Sequence, residues 1–101
     1  MSMLHTVNKS PFSHDNLLSC LACAQPGSTL LLIEDAVYAA REGTKVSSDI
    51  KDAMQNIKVV ALSPDLDARG ANNKLIDGIE LVDYAGFVKL ATECDTVQSW
   101  L

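Results

Sequence analysis

The sequence is poor in cysteine: Cys20, Cys23 and Cys94 are its only three, so they cannot all pair with one another. In a chain without an export signal, a reducing compartment keeps such residues as thiols, which argues against a disulfide scaffold. The opening MSMLHTVNKSPF has no basic lead followed by a long apolar run. No apolar stretch approaches the roughly 18 residues of a membrane span. Export and membrane insertion are disfavoured on this reading, and a cytoplasmic protein is expected. Basic residues are also short, with 8 Lys and Arg against 13 Asp and Glu and a net charge of −5. Such a surface neutralises phosphates poorly, so no direct nucleic-acid partner is expected. Glycine-rich phosphate cradles are missing too. Neither GxGxxG nor GxxxxGK[ST] occurs, and the loop after the first apolar run carries Pro11 and Phe12 but no glycine. Backbone N–H groups therefore cannot close on an anion there, and no nucleotide or flavin cofactor is expected.

What is present suits one globular domain. Apolar residues make up 48% of the 101 and charged residues 21%, enough for a single core spanning residues 1–101 and too little for a second domain. MLHTV at 3–7 reads as a strand, and NKSPF ends it with turn chemistry. In SHDNLLSCLACA, Ser13 is a candidate N-cap, and Leu17, Leu18, Leu21 and Ala24 recur at helical spacing until Pro26 and Gly27 stop the helix. Leu30 to Ile33 is a continuous apolar run, the pattern of a strand covered on both faces and hence of the central strand. AVYAAREG predicts a short helix closed by Gly43, SSDIKDAMQNI a helix capped by Ser47 or Ser48, and KVVAL another buried strand. SPDLDARG reads as one helical turn between Pro64 and Gly70, and residues 71–78 as loop. IELV is a fourth strand, and Asp83 caps a final helix whose apolar face is read as Tyr84, Phe87, Val88 and Ala91. The apolar end at Trp100 and Leu101 packs into the domain or into a neighbour.

Short strands without wet–dry alternation, separated by helices, predict an α/β fold. It is a three-layer α/β/α domain on a mostly parallel sheet of four to five strands, related in topology to flavodoxin-like folds. Chemistry in such sheets gathers beyond the carboxyl ends of the strands, here NKSPFSH, EDAVY, SPDLDARG and the turn at Asp83.

The cysteines at 20 and 23 raise the chemical question. At about 100° per residue, with the apolar centre near Leu17 and Leu21, Cys20 falls on the flank of the buried arc and Cys23 on the outer face. A thioredoxin-type couple would sit at a helix N-terminus, where the dipole stabilises thiolate, whereas these sit in the last turns. A zinc site would need a knuckle or a second CxxC; neither is present, and no metal is expected. Two readings stay open: cysteines as small core-fillers, or one working sulfur in Cys20. His5 reads as a structural histidine and His14 as solvated, while Asp65, Asp67 and Arg69 read as capping and ion-pairing residues.

LHTVNKSPF at 4–12, LLLIEDAVYAA at 30–40, LSPDLDARG at 62–70 and VDYAGFVKLATECDTVQSWL at 82–101 together resemble the DsrH/TusB family, and among its members DsrH of sulfur-oxidising bacteria. That resemblance implies a DsrE-like α/β fold and a cytoplasmic heterohexamer with DsrE- and DsrF-like subunits. It also implies transfer of persulfide sulfur to a small DsrC- or TusE-like carrier, with the principal persulfide-forming cysteine on the DsrE-type subunit. This chain is then an accessory subunit whose catalytic status stays open. The cysteine of the first helix in DsrH-type chains matches Cys20, making it the candidate persulfide carrier and tilting the resemblance toward dissimilatory sulfur oxidation. The alternatives are thiolation of tRNA wobble uridine, as for TusB, and a purely structural subunit. Cys23 and Cys94 match no functional position of the family. Nothing local would lower the pKa of Cys20 beyond a cation such as Lys9 or one from another subunit.

Overall fold

The computed structural model describes residues 2–101. Its sheet has five strands, β1 (Met3–Val7), β2 (Thr29–Leu32), β3 (Lys58–Leu62), β4 (Glu80–Val82) and β5 (Thr96–Trp100). They are ordered β4-β3-β2-β1-β5, and every pairing is parallel. The run at Leu30–Leu32 lies in the central strand, with each residue of β2 buried. Parallel strands need crossovers, which are α1 (Asn16–Cys23), a 3-10 helix (Glu34–Ala40) running on to α2 (Ser47–Ala53), α3 (Ser63–Ala68) and α4 (Tyr84–Glu93).

The two sheet faces are unequally covered. One packs Val7, Leu30, Leu32, Val59 and Ala61 against Leu17 and Cys20 of α1, Ile50 of α2, Leu66 of α3 and the small residues of the 3-10 helix. The other buries only Leu4, Leu31 and Val60 beneath Phe87, Leu90, Ala91 and Cys94 of α4 and its end. Topology explains the imbalance. The chain must pass from β4 at one edge to β5 at the other, four strand spacings or about 19 Å, and the ten-residue α4 is the one helix on that path. One helix therefore serves the whole face.

Two expectations change here. The inward side of α4 is Phe87, Leu90 and Ala91, while Tyr84 and Val88 stand 60% and 63% exposed. The helix has rolled about its axis so that its longest apolar side chains reach Leu31 and Val60. Residues 96–100, to which the sequence assigned no element, form edge strand β5, hydrogen-bonded to β1 along its length. Helix caps also differ. Ser13 bonds His14, and Asp15 occupies the N-cap of α1 without a side-chain bond. Ser47 lies inside α2 and donates to the Thr44 carbonyl.

The cap at Asp83 is as the sequence suggests: its Oδ1 accepts from the Gly86 N–H at 2.8 Å. Gly86 is fixed by packing, since a Cβ there would come 2.9 Å from the Cβ of Val82. Because α4 is the sole cover of its face, the cap matters beyond the first turn. Asp83→Ala is expected to lower the unfolding free energy by about 1 kcal/mol, read as a lowered urea midpoint at unchanged slope.

Candidate functional site

At the carboxyl ends of the strands, where chemistry was expected, the polar side chains are engaged with one another and with backbone. Glu34 leaves β2 with φ +50, and its N–H is held at 2.6 Å by Asp65 Oδ2 at the start of α3. Arg69 donates from Nε to Asp35 at 2.9 Å and from Nη1 to the Asp65 carbonyl, while Asp67 accepts from Asn72. These carboxylates and the guanidinium satisfy one another and the backbone, the capping and ion-pair role read from the sequence. The helices follow β2 and β3 with almost no intervening loop and fold down at once.

A cavity lies instead toward the amino ends of β1 and β2. It has a volume of about 520 Å³ and opens between the end of α1, the Ala24–Ser28 connection and edge strand β5, with Met3, His5, Cys23, Pro26, Gln98 and Trp100 among its lining residues. The period-2 geometry of the strands assembles it. Met3 and His5 share a face of β1, Gln98 and Trp100 share the same face of β5, and His5 stands opposite Gln98 in register.

His5 and Trp100 are coupled across that pair of strands. The indole Nε1–H donates to His5 Nδ1 at 3.1 Å, and the rings lie 6.2 Å apart and tilted. Indole nitrogen is only a donor, so Nδ1 must be the bare nitrogen and the imidazole proton sits on Nε2. A second proton on Nδ1 would face the indole N–H, and burial, the cause of its lowered pKa, disfavours the cation further. Neutral His5 is 2% exposed, and its Nε2 has no partner among the described residues. The reading of His5 as a satisfied structural residue thus holds for one ring nitrogen and fails for the other.

Cys20 is not at the edge of the apolar arc. It is 0% exposed within the larger core cluster, and burial, reinforced by the nearby Cys23 sulfur, pushes its thiol up to about 12. The helix shows why. Leu17 and Cys20 are its buried residues, whereas Leu18 is 42% exposed, so the buried centre falls between Leu17 and Cys20, not between Leu17 and Leu21. On an eight-residue helix this rotation of about 50° leaves Cys23 about 90° from the new centre, the flank position the sequence reading gave to Cys20. A small sulfur beneath the helix lets it settle toward the sheet; a leucine there would hold it off. Cys23 is exposed and borders the cavity, and Cys94 is half-buried under α4. Sequence reasoning missed the cavity because it missed β5. The signal was TVQSW, a β-rich pentapeptide after the turn residue Asp95.

A family model described as DsrH like protein matches residues 9–97. The chain belongs to the DsrH/TusB family. Among its relatives, Protein TusB of Enterobacter sp. (strain 638) is 41% identical over 98 residues, covering 97% of this chain and all of that one. Protein TusB of Escherichia coli (strain K12) is 37% identical over the same share of each. The ychN protein from E. coli superposes with a TM-score of 0.86 over 98% of each chain at 23% identity, which places the DsrH/TusB chain in the same α/β fold. Among the described residues no group of three His, Cys, Asp or Glu side chains is placed to hold a metal ion. No helix among them is long and apolar enough to cross a membrane.

Proposed function

We propose that this chain is a TusB-like accessory subunit of a sulfur relay, working in a heterohexamer with DsrE- and DsrF-like subunits that passes persulfide sulfur to a small TusE- or DsrC-like carrier. The observation that carries the reading is full-length similarity to proteins named TusB, at 41% identity and with no insertion large enough to add another domain. The relay then serves thiolation of tRNA wobble uridine. The acidic surface fits a role in which this chain hands sulfur to protein and leaves the RNA to others. Outward Tyr84 and Val88, an i,i+4 apolar pair on α4, support assembly with related subunits.

Dissimilatory sulfur oxidation is the second reading. It is favoured by the DsrH description of the matching family model and by the thiol at position 20. The two readings share fold, assembly and carrier class and differ in what the carrier feeds.

Within either relay the principal chemistry belongs to the DsrE-type partner. A relay sulfur must attack as thiolate and later be attacked on its outer sulfur, which needs access and a thiolate population. Cys20 has neither in the folded chain, so its part is packing. The test is reconstitution with the related subunits and a persulfide-charged donor, following arrival of sulfur on the carrier. Cys20→Ala is expected to leave the transfer rate within about twofold of wild type, since only the thiol of a packed core position is removed. A loss of more than tenfold in a complex of unchanged mass would return Cys20 to the relay. Failure of the wild-type chain to assemble with those subunits would overturn the accessory-subunit reading itself.

A further inference from the structure

A sulfur relay puts persulfides within reach of every subunit, and this chain has one thiol that is both exposed and set beside a built cavity. Cys23 ends α1 at the rim of the 520 Å³ space that His5 and Trp100 share. That volume is in the range of small-molecule sites. Its lining is chemically selective. Met3, Pro26 and Trp100 offer a thioether, a ring and an indole face, surfaces that suit soft, weakly hydrated sulfur better than water or a hard oxyanion. Ser2, Ser28, Gln25 and Gln98 supply polar groups around them.

The second feature is His5. His5 is 98% buried, its Nδ1 accepts from Trp100, and its Nε2–H has no acceptor among the described residues. A buried donor with no partner costs on the order of 1–3 kcal/mol, and native structures seldom keep one without a use. Trp100 does more than bury the ring. By claiming Nδ1 it fixes the tautomer in which the remaining nitrogen is a donor, the form that can hold an electron-rich sulfur. This donor comes from β1, independently of the helix that brings the thiol.

We infer that Cys23, with His5 and Trp100, forms a persulfide-receiving site in which Cys23 holds sulfane sulfur and His5 binds its terminal sulfur atom. The inference rests on the sulfur-relay reading above and adds the site on this chain. In the forward step the Cys23 Sγ, as thiolate, attacks the outer sulfur of a persulfide R–S–SH. The new bond joins Cys23 Sγ to that sulfur, the R–S to S bond breaks, and the thiolate RS⁻ departs and takes up the proton Cys23 gave up. One sulfane sulfur changes hands, thiol and persulfide exchange identities, and no external oxidant or reductant is consumed. Attack of an acceptor thiolate on the outer sulfur of the Cys23 persulfide runs the same step onward. His5 is a positioning residue through its Nε2–H, and Trp100 acts through His5.

The test loads the full chain in two arms, one with glutathione persulfide and one with the persulfide-charged DsrE-like subunit, and reads intact mass and the modified peptide. Sulfur on Cys23 in the first arm assigns a small-molecule source; sulfur on Cys23 in the second arm alone assigns a protein-borne one. Both support the site. Cys23→Ser is expected to abolish the added sulfur, whereas Cys20→Ala and Cys94→Ala keep it. His5→Phe is expected to slow loading roughly three- to tenfold, the weight of one hydrogen bond. His5→Gln, whose amide can donate, is expected to recover part of the rate. Iodoacetamide labelling of Cys23 should be equal in both variants, which separates sulfur binding from loss of fold. Sulfur that appears on Cys20 or Cys94 and never on Cys23, or loading of Cys23 that is indifferent to His5→Phe, overturns the site. In either case the chain still co-purifies with its related subunits, so the relay reading is judged separately.

Discussion

In the folded chain at pH 8, alkylation of Cys20 by iodoacetamide is expected to run at least a thousandfold slower than in the urea-unfolded chain, while Cys23 is labelled without unfolding. Burial sets the first ratio through two effects. The reagent reacts with thiolate, and burial pushes the folded Cys20 thiol from an ordinary 9.0 up to about 12. Below both values each pH unit of difference cuts the thiolate population tenfold, so this gap of about three units gives roughly a thousandfold. The second effect is on access, for Cys20 has 0% of its surface exposed, and reaction waits for α1 to lift from the sheet. Lifting exposes Leu17 as well, and each fully buried aliphatic side chain is worth about 1.5–3 kcal/mol. The measurement is time-resolved alkylation with peptide mapping. Protection below about tenfold would mean that α1 opens readily and that Cys20 is within reach of a donor after all.

The same helix shows what was legible in the sequence and what was not. Strand positions were, because a parallel sheet covered on both sides demands apolar runs, and TLLL and KVVAL admit no other reading between their turns. The Asp83 cap was legible for the same local reason: a carboxylate directly after the strand end meets free N–H groups. The roll of a helix on its sheet is another matter. α1 has Leu17, Leu18 and Leu21 spread over about 100° with Cys20 on the flank beyond, and periodicity alone cannot say which edge of that wider arc is sacrificed. The choice falls to tertiary packing: Leu18 goes out, Cys20 goes in, and the accessible thiol becomes Cys23. For α4 the same ambiguity exchanges Tyr84 and Val88 for Leu90.

The cavity was illegible for a related reason. It depends on Trp100 meeting His5 across 95 positions of sequence, a contact that exists only because the chain crosses the sheet before adding β5. Local pattern places the indole on a strand at best, and its partner follows from the register of Met3–Val7 against Thr96–Trp100. An edge strand with exposed Val97 and an amphipathic face toward α1 also explains how a residue near the C-terminus shapes a site at the amino ends of the strands.

The burial of Cys20 has a thermodynamic signature opposite in sign to that of a salt-bridged carboxylate. Its folded pKa is raised, so above about pH 9 the unfolded chain releases this proton while the folded chain keeps it until about pH 12. The folded state then binds more protons than the unfolded one, and stability must fall as pH rises. The contribution is fully present below pH 9, is lost progressively between 9 and 12, and amounts to at most about 4 kcal/mol over that window. Other groups titrate in the same range, and Cys20→Ala isolates this one. At pH 7 the variant is expected to be less stable by about 1 kcal/mol, the cost of removing a small buried group from a packed core. Because the variant lacks the ionisation, its curve falls less steeply, and the two curves are expected to cross between about pH 9.5 and 10, where about 1 kcal/mol has been lost from the wild type alone. Urea unfolding of both chains from pH 7 to 11 measures the crossing. Parallel curves would place Cys20 in contact with water and would remove the reason for assigning it to packing.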